Sequence, residues 1–311
     1  MKSNAIGVTG VAVTEMGLGT AQFGDLYDSF DQDEADAIVQ SALSNGIRHF
    51  DTAPHYGLGL SECRLGRALV GVDRAEIVVS TKVGRIIEGV GAAAYRRWDF
   101  TSDGVSRSLD SSRDRLRLDD IDIAFIHDPD EHVDQAISEA APALERKRAS
   151  GEVGAIGVGT KDVATLLRFV RESDIDVVMV AGRLTLLDRT ALDELIPECL
   201  ARGVAVMSAG VFNSGILASP TPDRSSHFEY AKPSHAIVTR ARKLASIAAR
   251  HGFTLPEAAV AFARRPAPPV VSVVVGVDAA AQVPSNAALL TCDGDAEGLF
   301  AELDDLFARE G

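Results

Sequence analysis

The 311-residue sequence predicts an α/β chain folded as a (β/α)8 barrel of the TIM type behind a short N-terminal hairpin, on three observations. Eight short β-rich apolar runs recur along it, each followed by a segment with helical spacing. At 46% hydrophobic residues the chain can bury the core such a barrel needs. No linker-like stretch divides it, so one domain over residues 1–311 is expected.

Residues 8–13, split by Gly10, supply the expected hairpin. The first barrel strand is expected over 16–21. Its helix follows over 33–45, with acids in the first turn, Ala37, Ile38 and Leu43 on one side, and Gly46 to stop it. A strand over 48–52 leads to a helix over 61–70, for which Ser61 is a candidate N-cap. The alternation continues with strand 77–82 and helix 102–116, then strand 121–127 and helix 133–150. Strand 155–159 precedes helix 161–171, strand 177–181 precedes helix 189–201, and strand 204–208 precedes helix 234–251. The eighth run, 270–275, leads into a short helix over 279–290.

Three successive runs end on groups that can do chemistry: Asp51, Lys82 and His127. Tyr56 follows Asp51 in a loop bounded by Pro54 and Gly57. Taken singly, each has an ordinary structural explanation: a capping carboxylate, a loop packer, an exposed strand end, a satisfied core histidine. In a (β/α)8 barrel, however, strand C-termini and the loops after them form one face, and that face carries the active site. The ordinary explanations do not place all four there.

Composition narrows the function. With 45 acidic against 31 basic residues the formal charge is -14, which disfavours nucleic acid or an anionic membrane as partner. The three cysteines, Cys63, Cys199 and Cys292, are widely spaced without a C-x-x-C, which suits a reducing cytoplasm. The first ten residues lack a signal-peptide core, and no apolar run approaches the ~18 residues that span a bilayer. A soluble cytoplasmic protein acting on a small molecule is expected. The run from His127 to His132 has no metal-ligand spacing and reads as a solvated acidic loop, so no metal is expected. Gly157-Val158-Gly159 and Gly57-Leu58-Gly59 lack the third glycine of a dinucleotide fingerprint. No nucleophile elbow is present, Ser208 having Val206 two residues before it.

A phenol beside an ammonium suits proton transfer on an oxygen. Free tyrosine titrates near pH 10, so only about 1% is ionised at pH 8. Lowering its pKa to about 8 requires roughly 2.7 kcal/mol of phenolate stabilisation. One ammonium at ~4 Å supplies on the order of 4 kcal/mol at an effective dielectric of 20. Lys82 alone is therefore expected to suffice, with Asp51 holding it and His127 donating to the substrate oxygen.

The motifs Gly17-Leu18-Gly19-Thr20, Gly46-Ile47-Arg48-His49-Phe50-Asp51-Thr52-Ala53, Tyr56-Gly57, Ser61-Glu62, Leu65-Gly66, Ser80-Thr81-Lys82, Ile126-His127 and Ile156-Gly157-Val158 run in order along the chain. In them the sequence resembles the aldo-keto reductase superfamily, whose members are (β/α)8 barrels that bind NAD(P)H without a Rossmann fold. The resemblance implies that Asp51, Tyr56, Lys82 and His127 form the catalytic tetrad. Pro54-His55-Tyr56-Gly57-Leu58-Gly59-Leu60-Ser61-Glu62, Ala181-Gly182-Arg183 with Leu186-Leu187-Asp188, and Gly210-Val211-Phe212-Asn213-Ser214-Gly215-Ile216-Leu217 look like one branch of it. That branch contains D-threo-aldose (L-fucose) 1-dehydrogenases and, nearby, pyridoxal 4-dehydrogenase, which oxidise cyclic hemiacetals to lactones. A general NADPH-dependent aldehyde or ketone reductase is the alternative enzyme. A cofactor-sensing channel subunit is the alternative outside catalysis, and no partner-binding extension supports it.

By the same resemblance Gly19 and Thr20 border the cofactor. Gly159-Thr160 stands where the family usually has Ser-Asn after the fifth strand, and Ala181 where Gln is common, leaving the Thr160 hydroxyl to meet the carboxamide. The nicotinamide-stacking position corresponds to Met207 or Ser208. Phe212 falls in the loop over the pyrophosphate, or packs as a core residue. The segment from Val275 to Asn286 resembles the adenosine-binding stretch, with Gly276, Asp278, Gln282 and Asn286 as its contacts. No base stands at Gly276 or Gln282, and Asp278 would repel a 2′-phosphate, so NAD is expected over NADP. Substrate contacts are expected from Asp25, Tyr27, His55 and Trp98, the single tryptophan, whose ring is free either to stack on a substrate or to anchor its loop.

Overall fold

The structure, a computed structural model, describes residues 1–26, 29–89 and 91–310. Strands β1 (Ser3–Ala5) and β2 (Ala12–Thr14) pair antiparallel. The hairpin thus forms, but its strands flank residues 8–13 instead of occupying them. Gly7 and Gly10 adopt φ of 50° and 84°, backbone a strand does not use. Strand β3 (Met16–Gly19) stops short of Ala21, where the chain winds into a 3-10 turn over Ala21–Gly24.

Helix α1 (Gln32–Ser44) starts at a capping box: Asp31 accepts from the Glu34 amide at 2.8 Å and Glu34 returns the bond at 3.1 Å. Its buried residues Ala35, Ile38, Val39 and Ala42 form one stripe against the barrel. Strand β4 (His49–Asp51) and helix α2 (Leu60–Ala68) follow. Ser61 is not the N-cap of α2. Gly59, at φ 87°, takes that place, and the Ser61 hydroxyl donates instead to the Thr20 carbonyl at 2.6 Å.

After β5 (Val78–Val83) the chain makes a ribbon that the sequence reading missed. Strands β6 (Arg85–Glu88) and β7 (Tyr95–Trp98) pair antiparallel with Arg85 opposite Trp98. Helix α3 (Ser102–Leu116) and β8 (Ile121–His127) come next. The single helix expected over 133–150 is α4 (Val133–Gln135) and α5 (Ala141–Ala149) joined by a π turn over Ala136–Ala140. Then come β9 (Val153–Thr160), α6 (Val163–Glu172), β10 (Val177–Ala181), α7 (Leu195–Arg202), β11 (Ala205–Ala209) and α8 (His235–Arg250). Helix α9 (Leu255–Arg264) was unforeseen, although Thr254 and Glu257 make a second capping box. Strand β12 (Val270–Gly276), α10 (Gln282–Ala288) and the equally unforeseen α11 (Ala296–Glu310) end the chain. Leu299, Leu303 and Phe307 of α11 pack at four-residue spacing onto α8 and α9.

Among the described residues eight parallel strands close in the order β3, β4, β5, β8, β9, β10, β11, β12. The barrel interior is apolar along β8 to β12, with Ile123, Phe125, Met179, Met207 and Val274 in one cluster. On β4 and β5 it is polar: His49, Asp51, Ser80 and Lys82 are all buried. Polarity at those positions directs every later step of the site's chemistry. No helix among the described residues is long and apolar enough to cross a membrane.

Candidate active site

Asp51 closes β4 and Lys82 lies near the end of β5, the strands being in register with Asp51 opposite Ser80. This places the Lys82 ammonium 2.7 Å from Asp51 Oδ2 and 2.8 Å from the Thr52 carbonyl. Lys82 is 2% exposed and Asp51 3%, so the pair is isolated from water, where charge attraction is strong and an unpaired partner is costly. The paired carboxylate raises the Lys82 pKa against the opposing effect of burial.

Tyr56 is delivered by backbone crossing. A Cβ on Gly24 would fall 2.5 Å from the Tyr56 carbonyl carbon, and one on Gly57 would fall 2.6 Å from Gly24 Cα. Only glycine at both places lets the β3 and β4 loops touch. Lys82 Nζ then sits 4.9 Å from the Tyr56 ring centroid, and the His127 ring meets Tyr56 edge-on at 5.9 Å. Tyr56, Lys82, Asp51 and His127 all face one groove of about 560 Å³.

The electrostatics correct one expectation. Although Tyr56 opens onto the groove, the protein packed around it raises its phenol pKa above 10, and Lys82 offsets only part of that rise. Desolvation, with the nearby Asp51 and Asp128 carboxylates, outweighs the attraction of the ammonium. Burial, with Lys82, Arg85 and His55 adding to it, holds His127 well below its ordinary value, so it is a neutral imidazole whose Nδ1 has no partner among the described residues.

Burial also lowers His49 from 6.5 to about 4. His55 falls to about 4 through burial, then through Arg85 and Arg96. Their folded pKa values lie below their unfolded ones, so as pH falls the unfolded chain takes up protons first. Stability is therefore whole above pH 6.5 and declines between 6.5 and about 4. For the fully buried His49 this amounts to about 3 kcal/mol. Thermal melts are expected to show Tm falling across that window, with a shallower fall in His49→Gln; a flat profile would contradict the burial of these rings.

The groove runs from this cluster to the end of β12 and is bordered by Gly19, Thr20, Thr160, Phe212, Gly276, Asp278, Gln282 and Asn286, as expected for cofactor contacts. Several contacts carry detail the sequence withheld. The Thr160 hydroxyl donates to Asp130 at 2.8 Å, and the Gln282 carbonyl accepts from the Asp278 amide at 2.7 Å. Phe212 both borders the groove and packs against core clusters. Ser208 is a correction. Met207 points into the barrel, so by strand alternation Ser208 turns outward with Val206, and Ala209 is the β11 residue that meets the groove.

Of the expected substrate contacts, Tyr27 lies outside the described residues. His55 and Trp98 gather around Arg85, a residue the reading passed over. Arg85 donates to the His55 ring at 3.0 Å, pairs with Asp128 at 2.6 Å and lies 4.2 Å over Trp98. Trp98 also stacks on Phe100 at 5.6 Å, yet its ring stays partly exposed and does not border the groove. Arg96 shares the same ring nitrogen, Nε2, at 3.1 Å. Both residues stand at the rim behind His127, whose ring is 5.6 Å from that of His55. Asp25 pairs with Arg64 at 2.8 Å. The loop after β8 is not simply solvated, because Asp128 and Asp130 are engaged by Arg85 and Thr160 and His132 packs on Trp98 at 5.8 Å. Among the described residues no cluster of His, Cys, Asp or Glu is placed to hold a metal ion.

The groove suits a dinucleotide. Its walls are bare at Gly19, Gly210 and Gly276, where a Cβ on Gly276 would collide with the Gln22 side chain at 2.6 Å. The buried Asn213 Oδ1, also on the groove, has no partner among the described residues. A cleft lined by glycines with an unsatisfied polar atom at its edge suits a phosphate- and amide-bearing ligand.

Comparisons with known proteins agree. The sequence model described as the aldo/keto reductase family matches residues 15–299. The chain is 42% identical to a D-threo-aldose 1-dehydrogenase of a Pseudomonas species, covering 96% of this chain and 95% of that one. It is 34% identical to a pyridoxal 4-dehydrogenase of Microbacterium luteolum, covering 92% of each. An aldo-keto reductase of Bacillus halodurans solved in its holo form superposes with a TM-score of 0.80 at 24% identity, over 97% of this chain and 96% of that one, a likeness of fold.

Proposed function

This chain belongs to the aldo/keto reductase family of nicotinamide-dependent oxidoreductases, and on that premise we propose that it oxidises an aldose, or a similar cyclic hemiacetal, at the anomeric carbon to give the lactone. The observation that carries the proposal is the convergence of Tyr56, Lys82, Asp51 and His127 on one groove that is also bordered by Gly276, Gln282 and Asn286. A bound nicotinamide supplies the hydride acceptor, or the donor in reverse. Tyr56 takes the proton from the anomeric hydroxyl, and returns it to the carbonyl oxygen in the reducing direction. Lys82 stabilises the phenolate that forms, and Asp51 keeps the ammonium charged and fixed. His127, neutral, donates to the substrate oxygen and orients it.

Because the phenol pKa is raised, oxidation depends on a minority phenolate and its rate should climb with pH into the alkaline range, while reduction declines. Four substrates decide the class: L-fucose, D-arabinose, pyridoxal and a simple aldehyde, each assayed with both nicotinamide cofactors. Turnover of the aldoses supports the proposal. Turnover of pyridoxal alone would favour the second reading, which the pyridoxal 4-dehydrogenase relative motivates.

The cofactor of this reading is NAD. Among the described residues the lysines bordering the groove are Lys82 and Lys161, and each is paired, with Asp51 and with Glu229 at 2.7 Å. The end near β12 holds Asp278 and no base. Titration is expected to give a lower Kd for NAD than for NADP, and Asp278→Asn should tighten NADP by roughly threefold or more by removing a like charge. Tighter binding of NADP than of NAD by the unmodified protein would reverse the assignment.

A further inference from the structure

The carboxylate of Asp51 has two oxygens, and Lys82 accounts for only one. Its Oδ1 is met by Ser80 Oγ at 2.7 Å, and Ser80 Oγ is in turn 3.0 Å from His49 Nε2. The direction of this chain follows from what each group is able to do. A carboxylate only accepts, so Ser80 gives its single proton to Asp51. The serine oxygen then has only lone pairs for His49, so His49 Nε2 carries the hydrogen and Nδ1 does not. His49 is wholly buried, and its Nδ1 has no partner among the described residues. A Cβ on Gly17 would lie 2.5 Å from that nitrogen, so the missing side chain at residue 17 is what admits the ring. An apolar residue at 49 would fill the space and leave no orphan nitrogen. The retained cost is explained by the donor at the other end of the ring.

We propose that His49 and Ser80 are positioning residues. Their hydrogen bonds, running from His49 Nε2 through Ser80 Oγ to Asp51 Oδ1, fix the carboxylate so that its second oxygen stays on Lys82 and holds the ammonium beside the Tyr56 ring. In that way they set the proton affinity of Tyr56. The inference rests on the reading of Tyr56 as the acid and base. Strand pairing makes the chain possible: His49 and Asp51 share the inner face of β4, Ser80 and Lys82 that of β5, and Asp51 lies opposite Ser80. The other titratable or charged groups near Tyr56 are His55 on its own loop, Arg85 of β6, and His127 and Asp128 at the end of β8. None of these touches Ser80.

Three measurements test it. In Ser80→Ala the phenolate population at a given pH should fall about tenfold, so the rise of kcat with pH for oxidation moves up by about one unit while the Kd for NADH holds. Ser80→Thr should restore the profile. A profile in Ser80→Ala superimposable on that of the unmodified enzyme overturns the proposal. The tautomer of His49 is read without any variant, by nitrogen NMR of the histidine-labelled full chain. The Nε2–H form is expected from about pH 5.5 to about pH 9, and the Nδ1–H form or an imidazolium in that range overturns the proposal. Spectrophotometric titration of the Tyr56 phenol against Tyr56→Phe gives the same shift in Ser80→Ala with no substrate present. A failure of the aldose assignment is thereby separated from a failure of the hydrogen-bond chain.

Discussion

Tyr56→Phe is expected to lower kcat by about three orders of magnitude while NADH binds within roughly a factor of two of the unmodified enzyme, in line with the 10²–10⁴ that a positioned acid or base contributes. The substitution removes one oxygen and keeps the ring, so the edge-on contact with His127 and the Gly24–Gly57 crossing that carries residue 56 are undisturbed. Lys82 keeps Asp51 and the Thr52 carbonyl as partners, so no charge is stranded. What disappears is the group that carries the substrate's proton, and His127, held neutral by burial and the nearby Lys82 and Arg85 charges, is poorly matched to take over that work. Steady-state kinetics with fluorescence titration of NADH separates the two effects. Turnover close to that of the unmodified enzyme would remove Tyr56 from the mechanism.

Lys82→Met is expected to abolish turnover and to destabilise the fold by about 3–5 kcal/mol, the cost of leaving a buried charge unpaired. Asp51 is left with Ser80 as its donor and nothing on Oδ2. The sign with pH is definite. The folded pKa of Lys82 lies above the 10.5 of an ordinary lysine, so its stabilising contribution is complete below 10.5 and is lost only as pH rises through the folded value. The deficit in Lys82→Met should therefore be constant through the neutral range. The double variant Asp51→Asn/Lys82→Met should recover most of the stability and none of the turnover, because it removes the stranded charge without restoring the ammonium. Denaturant unfolding of the four proteins in this cycle measures the coupling. A single Lys82→Met variant as stable as the parent would show that the pair is not isolated from water.

Much of this site is legible along the chain. Asp51, Lys82 and His127 each end an apolar run, and the barrel topology turns three separate strand ends into one face. Residues of the β12 end, Gly276 to Asn286, reach the same groove because β12 closes the barrel against β3. The hidden parts share a physical cause. Ser208 reads as a groove residue until strand alternation sends it outward and leaves Ala209 in its place. Trp98 reads as a lone loop aromatic until the ribbon sets Arg85 opposite it, with Phe100 stacked nearby. The β6–β7 ribbon carries charged residues that give no apolar alternation, and α9 announced itself only through Thr254 and Glu257. Helix α11 depends on α8 and α9 to bury its stripe.

By itself, then, the sequence determined the barrel, the order of its strands and which four side chains stand at their mouths, because hydrophobic periodicity and strand-end position are local properties. The proton affinity of the phenol, the partners of Arg85 and the chain from His49 to Asp51 were decided only in three dimensions. Each depends on desolvation or on a hydrogen bond between residues about thirty positions apart in sequence, and burial and register between strands are set by the closed barrel as a whole.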